Sequence, residues 1–168
     1  MNSFVINPIE DSEISTLQQL AESIWHQCYR DMISPAQIAY MLNQRYQAHQ
    51  LREALARGER LLAARINDVM VGFAHTLISS DKVCKLDKLY VSPNYQRLGI
   101  GSGLVQEVEH FARQHHCEQL MLRVYRGNQQ ALNAYRKYGF SLIREFKEDI
   151  GNGFFMDDCV MGKPVNLQ

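Results

Sequence analysis

The sequence predicts a single domain of the mixed α/β class, in which one sheet is flanked by helices. After one short apolar run, the N-terminal third carries apolar residues at helical spacing. From Arg60 onward the pattern changes to strand-like runs separated by short polar turns, and the last third alternates strand and helix. A chain of 168 residues has the length of one domain and can bury a core without disulfides or metal. Residues 1–168 contain no repeat, low-complexity segment or linker, so we expect one domain.

The N-terminal third is expected to form one strand and two helical tracts. SFVINPI is suited to a first strand, and Asp11 or Ser12 can cap the helix that follows through SEISTLQQLAESIWHQCYR. Ser34 can cap a second tract that has Pro35 at its first position and runs to Gly58.

The remaining elements are predicted from the change of period and from turn residues. RLLAARI, MVGFAHTLIS and KVCKLDKLYVS are separated by short turns and suggest an antiparallel meander. A helix from Leu104 to His116, the strand QLMLRVY and a helix ending at Gly139 follow. The last two strands, SLIREFKEDI and FFMDDCVMGKPV, are joined by a Gly-Asn-Gly hairpin turn. The predicted order is therefore β-αα-βββ-α-β-α-ββ, with about seven strands, mostly antiparallel.

Composition excludes several classes of function. Lysine and arginine together number 18, as do aspartate and glutamate, so no overall field attracts nucleic acid or an anionic membrane. Four separated cysteines without a C-x-x-C pair predict free thiols, and the adjacent His115, His116 and Cys117 point different ways around a helix. We therefore expect no metal. An acidic N-terminus without an apolar core, and no run of about 18 apolar residues, predict a cytoplasmic protein.

The segment QRLGIGSG places Gly99, Gly101 and Gly103 where a helix begins, although glycine costs about 1 kcal/mol per helical position. A strand, a glycine-rich turn and a helix N-terminus together present free N–H groups that bind phosphate oxygens, and we expect the glycines to make room for phosphate. The spacing fits neither a Walker loop nor a dinucleotide fingerprint. Taken alone, the segment is as typical of a structural turn as of an anion site.

Two motifs together resemble the GNAT N-acetyltransferases. LYVSPNYQRLGIGSGLV is similar to that family's Gln/Arg-x-x-Gly-x-Gly/Ala loop after a strand ending in V-x-P-x-[YF]. NQQALNAYRKYGF, residues 128–140, is similar to its second signature, N-x-x-A-x-x-x-Y-x-x-x-G-F. Two such motifs in the right order on the expected elements are far more specific than either one. The resemblance implies the GNAT-type mixed sheet flanked by helices and an acetyl-CoA dependent N-acetyltransferase.

The resemblance implies where acetyl-CoA, the co-substrate, would bind. It would lie between KLDKLYV and QLMLRVY where these strands separate, with its arm bonded to strand amides and its pyrophosphate on the N–H groups of residues 97–102. Asn128 would reach the arm; its alternative role is an ordinary helix N-cap, and the two can coexist. The implied cofactor-binding residues are Leu89, Tyr90, Val91, Gln96, Arg97, Leu98, Gly99, Ile100, Gly101, Ser102, Asn128 and Tyr135.

The implied reaction is direct attack of an amine on the thioester, through a tetrahedral intermediate. An alkylamine is only about one part in a thousand neutral at pH 7, so a base or a water chain is needed. Tyr135 matches the family's acid position; an isolated tyrosine there would be a core aromatic. Asp87 is a candidate base, or a solvated aspartate paired with Lys85 or Lys88. His75 is a second candidate, or a hydrogen-bonded structural histidine.

The acceptor is the least constrained part of the prediction. We expect a primary amine of a small, polyamine-like molecule, bound by the N-terminal helices and the last hairpin through Trp25, Tyr29, His75 and Asp157. Acidic residues in those segments, Asp31, Asp157 and Asp158, would suit a cation, although acidic loops are usually just solvated. The alternatives are an acyl-CoA-binding regulatory module without turnover and a protein or peptide N-acetyltransferase. A homodimer is common for the fold.

Overall fold

The computed structural model describes residues 3–166 and contains a seven-stranded sheet. The strands are β1 (Val5–Pro8), β2 (Arg60–Ile66), β3 (Val69–Ser80), β4 (Val83–Val91), β5 (Gln119–Tyr125), β6 (Ser141–Gly151) and β7 (Phe154–Pro164). The α-helices are α1 (Ile14–Tyr29), α2 (Pro35–Arg45), α3 (Ala48–Ala56), α4 (Ile100–Gln114) and α5 (Gln129–Lys137). Short 3₁₀ turns cover Asp11–Glu13 and Pro93–Tyr95.

The sheet is mixed and mostly antiparallel. Its strand order is β1-β2-β3-β4-β5-β7-β6. The central pair, β4 and β5, is parallel, and the other neighbouring strands run antiparallel. The fold class and the strand order predicted from the sequence are confirmed, and the second of the two predicted N-terminal helical tracts is two helices, α2 and α3.

A layer of helices covers each face of the sheet. On one face, α4 and α5 pack Leu104, Val108 and Leu132 against the central strands. On the other face, α1, α2 and α3 bury a second core that includes Leu17 and Phe73. The separated ends of β4 and β5 therefore lie between two packed layers.

The second helical tract is divided at Tyr46, where the sequence suggested one tract to Gly58. Tyr46 leaves helical geometry (φ −127°, ψ 21°) and is 4% exposed, and its hydroxyl accepts a hydrogen bond from Trp25 Nε1 at 3.2 Å. Gln47 and Gln50 then form a reciprocal capping box that begins α3. The break arises because burying the tyrosine ring redirects the chain.

Helix α4 begins at Ile100, before the predicted Leu104. Gly99 lies in the left-handed region (φ 83°) and is the N-cap, so Gly101 and Gly103 lie within the first turn of the helix. A left-handed N-cap is accessible to glycine at little cost. The helix can therefore start directly behind the turn.

None of the helices within residues 3–166 has both the length and the apolar character required to cross a membrane. Within the same range, no three His, Cys, Asp or Glu side chains are grouped so that they could hold a metal ion. Cys28, Cys84, Cys117 and Cys159 are free thiols.

Candidate active site

The two parallel strands separate halfway along their length. Residues Val83–Leu86 of β4 pair with Gln119–Leu122 of β5, and the ladder ends there. Beyond that point β4 continues to Val91 beside β3, and β5 continues to Tyr125 beside β7. A gap therefore opens between the two strands in the middle of the sheet, as the sequence motifs implied.

Asp87 is an extra residue at the point where the gap opens. His75 pairs with Lys88 and Thr76 pairs with Leu86, so Asp87 has no opposite residue in β3. Leu86 and Leu89, three positions apart, both pack on the α4–α5 face, whereas a regular strand would send them to opposite faces. Such a bulge bends its strand, so we attribute the divergence of β4 from β5 to Asp87.

The loop after β4 presents free backbone donors. Arg97 and Gly99 both have positive φ, 63° and 83°. Among residues 3–166, the N–H groups of 97–99 donate to no backbone carbonyl. The first bond of α4 runs from Gly103 N to Gly99 O at 2.9 Å, which leaves the N–H groups of residues 100–102 free at the positive end of the helix. The arrangement fits a phosphate group.

The glycines serve different purposes, which corrects the expectation that all of them make room for phosphate. A Cβ on Gly103 would lie 3.0 Å from the Phe4 ring and 3.1 Å from Ile6, so this glycine lets α4 pack closely on β1. A Cβ on Gly101 would lie 2.5 Å from the Tyr138 hydroxyl. At Gly99 the backbone conformation itself requires glycine.

Asn128 caps α5 and also faces α1. Its Oδ1 accepts a hydrogen bond from the Ala131 N–H at 3.2 Å, which is the N-cap role considered for this residue. Its Nδ2 lies 3.8 Å from the Cys28 Sγ, and the residue is 5% exposed. Asn128 therefore connects the start of α5 to the end of α1 beside the gap.

The Tyr135 side chain stands on α5 with its hydroxyl available. The residue is half-buried, and its ring packs against Phe140 and Tyr138 at centroid distances of 5.7 and 6.4 Å. Within the described part of the chain the hydroxyl makes no hydrogen bond, and it is not sealed from solvent. Burial, with smaller effects of Tyr138 and Cys28, raises the pKa of Tyr135 well above its usual range. The phenol is therefore protonated at neutral pH and can donate a proton.

An aromatic wall, formed by Trp25, Tyr29 and Tyr90, lies on the α1 side of the gap. The Tyr29 and Tyr90 hydroxyls are 3.0 Å apart. Trp25 is 1% exposed and packs behind them, with ring centroids 4.7 Å from Tyr29 and 5.8 Å from Tyr90. Trp25 therefore positions the two tyrosines, and it has almost no surface of its own for contact with a ligand.

Asp87 is surrounded by cations. Its carboxylate lies 2.6 Å from Lys88 Nζ, 3.0 Å from Lys85 Nζ and 3.4 Å from Arg45 Nη2. Burial alone would raise the pKa of Asp87, but the hydrogen bond with His75 and the charges of Lys88 and Arg45 hold it well below the usual range. A carboxylate stabilised in this way is ionised at any working pH and is a weak proton acceptor.

His75 connects Asp87 to a second carboxylate. Its Nε2 lies 2.6 Å from Glu59 Oε2, its Nδ1 lies 3.5 Å from Asp87 Oδ2, and the residue is 6% exposed. A cavity of about 230 Å³ opens beside this group, next to Arg45 and Lys88. Asp87 and His75 both line this cavity, and Glu59 bonds the far nitrogen of His75.

The acidic residues considered for a cationic acceptor are already paired. Asp157 forms an ion pair with Arg126, and Asp158 lies 2.8 Å from Arg123. Asp31 is exposed and lies 3.7 Å from Arg30. Each of these carboxylates therefore already has an arginine partner.

Sequence reasoning missed several residues of the site. Arg45, Glu59 and Cys28 come from α2, the start of β2 and the end of α1, and each reaches a partner far away in sequence. No local motif marks them. The lysines flanking Asp87 were the one visible signal, because they indicated that this carboxylate would be compensated.

Strands β4 and β5 separate, the N–H groups at the start of α4 are free, and the Tyr135 hydroxyl is open to solvent. Such a site fits a reactive group that is carried on a phosphate-containing molecule. The model of the acetyltransferase (GNAT) family matches residues 18–140, which is more than half of the chain. The chain therefore belongs to the GNAT family of acetyltransferases. The predicted class, an acetyl-CoA dependent N-acetyltransferase, is confirmed.

Individual relatives cover nearly the whole chain. A spermidine N(1)-acetyltransferase from Thermoplasma acidophilum is 24% identical over 160 residues, 92% of this chain and 96% of that protein. An aminoglycoside N(6')-acetyltransferase type 1 from Acinetobacter baumannii is 27% identical over 150 residues, 87% of this chain and 99% of that protein. Among solved structures, the PaiA N-acetyltransferase from Thermoplasma acidophilum in complex with coenzyme A superimposes with a TM-score of 0.83 at 24% identity, covering 96% and 99% of the two chains.

Proposed function

We propose that this protein transfers the acetyl group of acetyl-CoA to a primary amine of a small, cationic, polyamine-like molecule. The observation that carries the proposal is the gap between β4 and β5, which ends at six free N–H groups. The spermidine N(1)-acetyltransferase, similar over 92% of this chain, supports the choice of acceptor. The PaiA structure in complex with coenzyme A supports the choice of donor.

The backbone would hold acetyl-CoA. The N–H groups of residues 97–102 would bind the pyrophosphate with the Arg97 side chain as an additional cation, and Leu89, Tyr90 and Val91 would offer main-chain groups to the arm. Gln96 lies at the mouth of the gap: its Nε2 donates to Val91 O at 3.2 Å, and its Oε1 accepts from Gln130 Nε2 at 2.7 Å. These contacts join the two sides of the mouth and would retain the co-substrate.

Tyr135 would act as the acid in the reaction. The amine nitrogen forms a bond to the acetyl carbon, and the carbon–sulfur bond breaks as the tetrahedral intermediate collapses. The departing sulfur then takes the phenolic proton, and solvent returns a proton to the Tyr135 phenolate before the next turnover. A backbone N–H at Leu89 or Tyr90 would stabilise the oxyanion.

Asp87 would act as a fixed anion that holds Lys85, Lys88 and Arg45 in place beside the gap, and the proton would leave by another route. Its pKa is far below that of an alkylamine, so direct proton transfer to it is strongly uphill. We propose that water in the cavity, which His75 and Asp87 line, carries the proton away past His75 to solvent. Trp25 would act through Tyr29 and Tyr90, and Asp157 would contribute only if its bond to Arg126 opened.

A thiol-release assay over an amine panel tests the proposal. Polyamines, amino acids, aminoglycosides and peptides are each offered with acetyl-CoA, and acetyl-CoA binding is followed separately by calorimetry. We expect turnover with polyamines. If acetyl-CoA binds but no amine causes thiol release, the protein is an acyl-CoA-binding module without turnover. If peptides are the preferred acceptors, the protein is a protein or peptide N-acetyltransferase.

The Tyr135→Phe variant tests the chemistry within the same assay. We expect kcat to fall by about a hundredfold, while acetyl-CoA affinity is kept, because general acid catalysis typically contributes that much or more. Tyr40→Phe is the matched control, since it removes a phenol that bonds Ile150 O on the outer hairpin. An unchanged kcat in Tyr135→Phe would remove this residue from the reaction.

A further inference from the structure

A second cavity lies at the β1 edge of the sheet, on the face that α4 covers. It has a volume of about 230 Å³ and is bounded by the second half of α4 and by strands β1 and β2. Its first residue on α4, Glu107, is about 10 Å along the helix from Ile100, at a rise of about 1.5 Å per residue. The cavity shares no residue with the sites proposed above for acetyl-CoA and the acceptor.

Three elements build the cavity through their ordinary periodicities. On α4 the wall is one helical face, with residues at i, i+3, i+4 and i+7: Glu107, His110, Phe111 and Gln114. Arg60 and Leu62 lie two positions apart in β2, so their side chains point to the same face of the sheet. Strand β1 ends at Pro8, opposite Leu62, and Arg60 therefore has no β1 residue opposite it. The early end of β1 leaves the floor of the cavity open beside Arg60.

The cavity wall carries one cation and one anion. Arg60 is half-buried, and its guanidinium lies over the Phe111 ring at 5.5 Å. Neither Arg60 nor Glu107 forms an ion pair with another side chain of residues 3–166, whereas Glu109, on the same helix, pairs with Lys163. Each of the two charges at the cavity can therefore bind a ligand group of opposite sign.

The rest of the cavity wall is mostly apolar. The apolar part is formed by Ile6, Pro8, Leu62 and Phe111. The two remaining polar side chains bond each other, because Gln114 Nε2 donates to His110 Nε2 at 3.0 Å. A ligand that fills the cavity therefore needs an apolar part in addition to its two charged groups.

The size and the charges of the cavity fit an α-amino acid. Pockets for drug-sized ligands have volumes of about 300–1,000 Å³, so this cavity suits a smaller molecule. An amino acid carries its carboxylate and its ammonium on one carbon, so a small ligand can reach both charges. An arginine side chain can donate two parallel N–H bonds to a carboxylate.

We propose that this cavity binds a free apolar α-amino acid. The carboxylate of the ligand meets Arg60, its ammonium meets Glu107, and its side chain packs on the apolar wall. The proposal depends neither on the acetyl acceptor nor on catalysis.

Calorimetric titration of the protein with L-leucine, without acetyl-CoA, tests the proposal. We expect L-leucine to bind, and we expect three analogues to bind at least about tenfold more weakly. L-leucinamide lacks the carboxylate, and 4-methylpentanoate lacks the ammonium, so each loses a charge-assisted hydrogen bond. L-serine keeps both charges but lacks the branched apolar chain that would be buried.

Two variants assign the charged groups of the ligand to residues. Arg60→Met keeps an unbranched chain beside the Phe111 ring but removes the charge. It should bind L-leucine at least about tenfold more weakly than the wild type and should bind L-leucine and L-leucinamide equally. Glu107→Gln should weaken L-leucine binding by a similar factor and should bind L-leucine and 4-methylpentanoate equally.

The control is Arg113→Met, which makes the same change to an arginine of α4 outside the cavity wall and should bind L-leucine like the wild type. Thermal unfolding establishes that each variant is folded. If Arg60→Met does not fold, Glu107→Gln still decides, because Glu107 is exposed. A wild type that does not bind L-leucine, or a folded variant of Arg60 or Glu107 that binds it as tightly as the wild type, would overturn the proposal. Binding of L-leucine as an acetyl acceptor in the gap would give the second of these results and would leave the proposed catalysis intact.

Discussion

The two sides of the gap are built in different ways. The side that we propose for acetyl-CoA consists of contiguous segments, from Leu89 to Ser102 and from Asn128 to Tyr135, and most of its expected contacts are main-chain groups. The side that we propose for the acceptor is assembled from distant residues: Arg45 reaches Asp87 across 42 positions, and Tyr29 reaches Tyr90 across 61. Recognition by backbone leaves a local pattern in the sequence, whereas a network of side chains leaves none.

We expect the largest effect on stability from a substitution at Asp87. Asp87→Asn would leave Arg45 and Lys88 without their shared carboxylate, and breaking one partner of such a buried group costs about 3–5 kcal/mol. We expect the free energy of unfolding in urea at pH 7 to fall by that amount. Asp31→Asn, at an exposed ion pair, should change it by less than about 0.5 kcal/mol. Equal effects of the two substitutions would mean that the acceptor side does not depend on this charge.

The lowered pKa of Asp87 predicts that the stability of the protein depends on pH in the acidic range. Because the pKa of Asp87 is lowered on folding, its contribution is fully present above the unfolded value of about 3.9 and is lost as pH falls further. Wild-type stability should therefore drop steeply below about pH 4, and Asp87→Asn should show a shallower drop. Urea unfolding at a series of acidic pH values measures both slopes, and parallel slopes would contradict the assignment.

Asn128 lies between the two sides of the gap. Substitutions should distinguish its role as the N-cap of α5 from its proposed role in binding acetyl-CoA. Asn128→Ala removes the cap of α5 and should lower stability by about 1 kcal/mol, and it should also raise the KM for acetyl-CoA. Asn128→Asp retains a capping oxygen, so it should restore stability while KM remains raised. If the aspartate variant restores both quantities, Asn128 is a helix cap alone.

We expect the smallest effects from a substitution at Gly99, where a change in acetyl-CoA binding can be separated from a change in stability. Gly99→Ala forces a side chain into the left-handed region and should lower stability by about 1 kcal/mol. Gly58→Ala is the matched control, because Gly58 has φ 80° and open space around the position of a Cβ. Both should lose similar stability, but only Gly99→Ala should weaken acetyl-CoA binding, by about fivefold. Weaker binding in both variants would point to a global effect.

The sequence was sufficient for the strand order, the sheet and the loop, because periodicity, turn residues and two motifs mark them locally. The sequence was insufficient where a contact between residues far apart in the chain determines the local structure. Tyr46 ends α2 because its ring is buried beside Trp25, and Gly103 is small because Phe4 and Ile6 pack against it. The pairing of Asp157 with Arg126 depends on strands that meet only in the folded sheet.

The bulge at Asp87 has a consequence for which substitutions strand β4 of this chain can tolerate. Leu89 and Val91 lie toward α4 and α5, whereas Tyr90 lies toward α1, and this alternation is set by the one additional residue before them. Deleting Asp87 would shift the phase of every later position in β4, exchanging Tyr90 with its neighbours across the sheet. The proposed opening for the acetyl donor and the aromatic wall beside it would then both be lost through one deletion.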